Sequence, residues 1–324
     1  MNKTIRYIID HPERILPILF YPAAQTLGVS VRQLVGDSAL RVKAMKYWAD
    51  NYPVSCAQAC MDLSLEAEAF GAKIRRSDNE IPTVVGRLVK NVSGIDKLEI
   101  PSVDAGRTAD AVRTIAEAKK QIKKPVLASV IGPFSLAGRL MDTTELMVNC
   151  YDEPEAIHRI LEKTTIFISL LISRYKAAGA DGIILAEPAA GLLSPVLCEE
   201  YSSFYVRRIA QETKSKDFAF IYHNCGNVLP LSENIKEIDA DAYHFGNAVN
   251  LEKILKLMPK EKPVFGNISP LLIKNGPPED IEEAVKELKK RCSKYNNFYL
   301  SSGCDIPPAT PLEHIQSFFK AAAE

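Results

Sequence analysis

The chain lacks an excess of charge of either sign. Its 324 residues carry 40 Lys and Arg against 40 Asp and Glu, a formal net charge of zero. A nucleic-acid binder normally carries a basic excess, so that class is disfavoured, although a local basic patch is not excluded. Long apolar runs are also missing. The longest, around residues 126–136 and 166–172, are too short to span a bilayer. The opening MNKTIRYIIDHPERILP has no apolar core of signal-peptide length, so a cytoplasmic location is expected. Internal repeats and low-complexity runs are absent. Seven cysteines, an odd number in a chain this long, do not read as a disulfide framework. With 47% apolar residues, disorder is ruled out.

What is present is a rhythm. Short β-branched or apolar runs alternate with longer charged helical patterns, the signature of βα units around a parallel sheet. Strands are predicted at 15–23, 55–62, 126–133, 182–188, 218–226, 242–249, 263–270 and 298–304. Helices are predicted at 108–123, 154–178, 199–214, 250–258, 278–294 and 311–323. Pro154 and Pro278 sit at helix starts, where a missing N–H costs nothing. Asp152 and Asn275 lie just upstream as caps. Eight strands with intervening helices point to an α/β fold, a closed (β/α)8 TIM barrel; an open doubly wound sheet is the alternative. Residues 1–14 read as a helical arm and 72–100 as an inserted hairpin or excursion. The whole of 1–324 is expected to be one domain.

Polar residues gather at the C-terminal ends of the predicted strands: Asp62, Glu187, His223 with Cys225, His244 with Asn247, Asn267 and Cys304. In a (β/α)8 barrel that end carries the active site. His223-Asn-Cys225 ends a strand, and an i, i+2 pair in extended chain points to one face. An imidazole and a thiolate make half of a zinc site. Free cysteine is usually a small buried hydrophobe, so the pair alone is a weak signal. Cys304, after a glycine at the end of the last strand, adds a third ligand. His-Cys-Cys leaves one tetrahedral position open, the arrangement of a catalytic zinc. A thiol arriving there would lose its proton to the metal, whereas a free thiol is only partly ionised at neutral pH. Alkyl transfer to sulfur is the natural chemistry. Hydrolysis is the competitor, but no HExxH helix is present.

These residues resemble the uroporphyrinogen decarboxylase superfamily, and within it the zinc-dependent methylcobamide:coenzyme M methyltransferase branch. The resemblance is carried by MDLSLEAEAFGAKI at 61–74, IGPFSLAGRLM at 131–141, GADGIILAEPAAGLLSP at 179–195, YHNCGNV at 222–228, VFGNISP at 264–270 and SSGCDIPPATPLEHI at 301–315. It implies a (β/α)8 barrel and zinc ligands His223, Cys225 and Cys304. It implies methyl transfer from a methylated corrinoid (a methylcobamide), held on a separate partner protein, to a thiol activated by Zn2+. The Asp-x-His-x-x-Gly signature of a corrinoid domain is missing; Asp241-Ala-Tyr-His244-Phe-Gly246 has the wrong spacing. Glu187, His244 and Asn267 are the candidate catalytic groups, and Asp62 and Asn247 the candidate cofactor contacts. Glu187 stands where the family often has Asp and reads as a cavity carboxylate, a transient fourth ligand. His244 lies in a segment, 242–249, unlike the Ser- and acid-containing strand of the coenzyme M enzymes, which leaves the acceptor open.

Two other readings stand beside this one. A decarboxylase should carry an Arg-Gln-Ala-Gly-Arg-like cluster near its first strand, yet residues 20–28, FYPAAQTLG, hold no arginine. A non-catalytic corrinoid- or tetrapyrrole-binding barrel would explain a pocket but not an open zinc triad. Cys56 and Cys60, four apart on a predicted strand, should share one packed face. Cys150, Cys198 and Cys292 read as structural, and His11, His158 and His314 as surface residues.

Overall fold

Seven short parallel strands form the main sheet of this computed structural model, which describes residues 1–11 and 13–324. They are β1 (Ala57–Gln58), β4 (Val126–Ile131), β5 (Gly182–Ala186), β6 (Ala219–Asn224), β7 (Ala242–Phe245), β8 (Val264–Ile268) and β9 (Phe298–Ser302), hydrogen-bonded in that order. The remaining two, β2 (Ile74–Arg75) and β3 (Thr83–Val84), pair antiparallel as a separate ribbon. Helices cover the outside, and the arrangement is TIM-barrel-like.

The strands read as near-continuous apolar runs because both faces are buried. Alternate residues divide between two cores. Leu127, Ile184, Ala219, Ile221, Ala242 and Phe265 point inward and pack together. Val126, Ile183, Phe220, Tyr222, Tyr243 and Phe245 point outward against the helices. The helix Lys3–Ile9, capped by the Asn2 side chain, sends Ile5 and Ile8 into the inner cluster. Its Thr4 hydroxyl donates to Asp181 O and its Lys3 N–H to Lys216 O, so it closes the end at which the strands begin. Among the described residues, no helix is long and apolar enough to cross a membrane.

The strand expected at 15–23 does not form. Only Ile15 makes a bridge, to Val54, and the chain turns into the helix Ala23–Leu27. Pro17 and Pro22 have no N–H to give, and a strand with two neighbours needs them. Side chains replace the ladder. Ser302 Oγ accepts the Ile18 N–H at 3.0 Å, and the Ser301 hydroxyl donates to Leu16 O at 2.7 Å. On the other edge the Ser55 N–H donates to Ile15 O. The segment thereby joins β9 to β1 without being a strand.

Three smaller expectations also fail. Asp152 and Asn275 do not cap the next helices, because each is the last residue of the preceding one. Residues 199–214 are not one α-helix: a π-turn at Glu199–Ser203 precedes Phe204–Thr213. Cys56 and Cys60 do not share a face, since β1 is two residues long. Cys56 enters the inner core, while Cys60 packs against the outer one.

Candidate metal centre

β6 delivers His223 to the top of the inner core, because it shares the inward parity of Ala219 and Ile221. Cys225 lies just beyond the strand and Cys304 just beyond β9. The ligand atoms of His223, Cys225 and Cys304 all lie within 4.8 Å of one another. Cys304 Sγ is 3.7 Å from His223 Nε2. Zinc bonds of about 2.0 Å to nitrogen and about 2.3 Å to sulfur give a tetrahedral N···S edge of about 3.5 Å, so the donor set fits that ion.

Two glycines let the ligand loops approach. A Cβ on Gly246 would lie 2.5 Å from Cys225 Cα, and one on Gly303 would lie 2.8 Å from Asn247 N. Asn247 therefore packs over the glycine that precedes Cys304.

The imidazole of His223 is oriented from behind. Its Nδ1 lies 2.9 Å from His244 Nδ1, and His244 Nε2 lies 2.7 Å from Ser301 Oγ. The tautomers follow by elimination. Ser301 spends its one proton on Leu16 O, so it accepts from His244 Nε2–H. A neutral His244 then has only a lone pair at Nδ1, so His223 donates from Nδ1–H. His223 Nε2 is left bare toward the thiols. Burial, and the neighbouring His223, hold His244 well below the usual histidine range, consistent with a neutral ring. Between the thiols, the hydrogen bond from Cys304 lowers Cys225 and correspondingly raises Cys304.

The other predicted site residues lie elsewhere. Glu187 donates its backbone N–H to His223 O at 2.9 Å, but its buried carboxyl is committed to another helix. Its Oε1 accepts from the Ser135 N–H and hydroxyl in the first turn of the helix Pro133–Met141. Burial pushes this carboxyl up to about 8. Gly132 makes room for it: a Cβ there would lie 1.4 Å from Glu187 Oε2. Asn267 is a clamp, its amide donating to Gly246 O and Val249 O. Asp62 is committed to Arg107 and to the Ser64 N–H and hydroxyl. Only His244, of these, contacts a ligand side chain. Ser301 was missed, although the parity of β9 alone aims it inward.

A cleft of about 210 Å³ opens beside Cys304. Met61, Leu63, Ile81 and Val84 give it apolar walls, and Arg139 and Asp305 polar ones. Ile81 lies in the turn between β2 and β3, so the antiparallel ribbon forms one side.

Residues 14–324 match the family model for uroporphyrinogen decarboxylase (URO-D), and the chain belongs to that family. Similar relatives include a methylcobamide:CoM methyltransferase MtbA of Methanosarcina mazei, 27% identical over 81% of this chain and 77% of the relative. A methylated-thiol–coenzyme M methyltransferase of the same organism is 26% identical over 84% and 73%. A uroporphyrinogen decarboxylase of Coxiella burnetii is 24% identical over 83% and 77%. Among solved structures, a methyltransferase from Methanosarcina mazei superposes with a TM-score of 0.85 at 19% identity, covering 99% of this chain and 98% of that one. It shares the fold.

Proposed function

We propose that this member of the uroporphyrinogen decarboxylase family moves a methyl group from a methylated corrinoid, carried on a partner protein, to the sulfur of a small thiol. One S–CH3 bond forms and one Co–CH3 bond breaks; cobalt keeps the electron pair and leaves as Co(I). The observation that carries this reading is the convergence of one imidazole nitrogen and two thiol sulfurs within 4.8 Å, beside an open cleft. The relatives named as methylcobamide:CoM methyltransferases support it.

His223, Cys225 and Cys304 would hold a zinc ion. Zinc at such ligands supplies the Lewis acidity that keeps an acceptor thiol ionised at neutral pH. The chain does the rest. His244 and Ser301 keep His223 Nε2 free of its proton and aimed at the thiols. Met61, Leu63 and Val84 give the approach to sulfur an apolar wall. Arg139, exposed at the cleft and free of ion pairs among the described residues, favours an acceptor with an anionic end.

The test is metal analysis of wild type beside Cys304→Ser, followed by addition of methylcobalamin and a panel of thiols with Co(I) read by absorbance. About one zinc per chain, lost in the variant, with thiol-dependent demethylation, is expected. No zinc in wild type overturns the reading and returns the chain to decarboxylase chemistry, which the relatives of that name favour.

A further inference from the structure

Beside the 59–65 segment lies a small cavity of about 20 Å³. Arg41, Cys60, Asp62, Arg107, Ser129 and Tyr175 line it. That volume holds one water-sized particle, which is also the size of a halide ion.

Arg41 is the unusual member. It is 2% exposed, and its Nε and Nη2 find no acceptor among the described residues. A buried charge without a partner is strongly destabilising. Its charged neighbours are already matched. Arg107 pairs with Asp62 and Glu68, and Arg76 pairs with Glu68, so two cations meet two carboxylates. No carboxylate forms an ion pair with Arg41 among the described residues. Burial pushes Glu66 up to about 8 and Cys60 up to about 12, and raises Tyr175 well above the usual phenol range, so these neighbours are poor counter-ions. Arg41 is left without a partner for its charge, facing a cavity of ionic size.

We propose that this chamber is a binding site for a small monoanion of halide size, whose charge neutralises Arg41. Arg41 donates to it from Nε–H and Nη2–H, and the Cys60 and Tyr175 side chains line the same space. The site adjoins the wall of the cleft beside Cys304. Asp62, at the edge of the chamber, accepts the Ser64 N–H, and Met61, Leu63 and Ser64 line that cleft. An occupied chamber therefore steadies the 61–64 segment.

The experiment is thermal unfolding of the full chain at pH 7, with chloride replacing gluconate at constant ionic strength. It is paired with bromide-soaked crystals read by anomalous scattering. Wild-type Tm should rise by about 2 °C for each tenfold step in chloride above the dissociation constant. A single bromine peak should lie within hydrogen-bond reach of Arg41. Arg41→Met, which keeps the side-chain bulk, should lose both effects. The bromine peak in wild type stands as evidence even if that variant does not fold. Three outcomes overturn the proposal: no chloride dependence and no peak in wild type, chloride dependence that persists in Arg41→Met, or dependence that appears only in Glu66→Gln. The last would make Glu66 the counter-ion.

Discussion

His223 Nδ1 and His244 Nδ1 face each other at 2.9 Å, and only one of them can carry the proton between them. Ser301, by giving its own proton to Leu16 O, and the His244 carbonyl oxygen, which accepts from the same His223 nitrogen at 3.2 Å, both place it on His223. Two backbone carbonyls, one of them in the irregular segment before β1, thus favour one tautomer of a metal-ligand candidate on β6.

Ser301→Ala and His244→Phe should each weaken zinc binding by about 10- to 100-fold, the usual cost of removing an outer partner of a ligating imidazole. Competition with a chromophoric chelator measures it, and a cobalt-substituted sample should show altered d–d bands. Unchanged affinity in both variants would leave the relay with no part in metal binding.

Gly246→Ala tests the close approach of the ligand loops. The new Cβ would meet Cys225 Cα, O and Cβ at 2.5 to 2.8 Å, and backbone cannot step aside as a flexible side chain can. The expected result is sub-stoichiometric zinc and a loss of about 1–3 kcal/mol in urea unfolding. Full zinc content with wild-type stability would mean that the loop yields freely.

Asp62 separates a structural role from cofactor contact. It lies in a buried pair with Arg107, where its oxygens also accept from Ser64. Asp62→Asn should leave zinc stoichiometry at the wild-type value. Arg107→Met leaves the buried Asp62 without its cation, while Glu68 keeps Arg76, and should cost about 3–5 kcal/mol. Chemical denaturation and metal analysis on the same samples read the two effects apart.

Glu66 carries a pH signature. Its Oε1 accepts the Ile131 N–H, its Oε2 has no partner among the described residues, and the charges of Asp62 and Arg107 act on it in opposite senses. Burial pushes the folded carboxyl up to about 8, from an ordinary value near 4.5. The unfolded chain therefore releases this proton first. The stability that comes from keeping the group neutral is complete below about 4.5 and is lost as pH rises through about 8. Against Glu66→Gln, wild type should lose up to about 1.4 kcal/mol per pH unit across that window. Parallel stability curves for the two proteins would mean that the site holds the carboxylate without penalty.

Much was legible in the sequence because period and parity are local. Six predicted strands from 126 onward contain the observed ones, since runs such as VLASVI and GIILA are buried on both faces and carry no competing signal. The same parity placed His223 and Cys225 on one face, and Cys304 completed the trio. The segment 15–23 was misread because its apolar residues outweighed Pro17 and Pro22, whose missing donors decide against a ladder. Asn267 and Glu187 lie at strand ends as expected, yet they serve the backbone of a neighbouring loop and a helix start. A strand end brings a polar group to the rim without specifying which neighbour it meets.

By itself, the sequence determined the parallel α/β architecture, through the alternation of buried runs with amphipathic helices, and the chemical identity of the three ligand candidates. Tertiary structure decided their distances, the proton on His223, and the isolation of Arg41. Those depend on groups up to 285 positions apart, such as the Ser301 hydroxyl and the Leu16 carbonyl, meeting in a closed space. Hydrogen bonds and charge pairs act over a few ångströms in space, and no spacing along the chain records which partners come within reach.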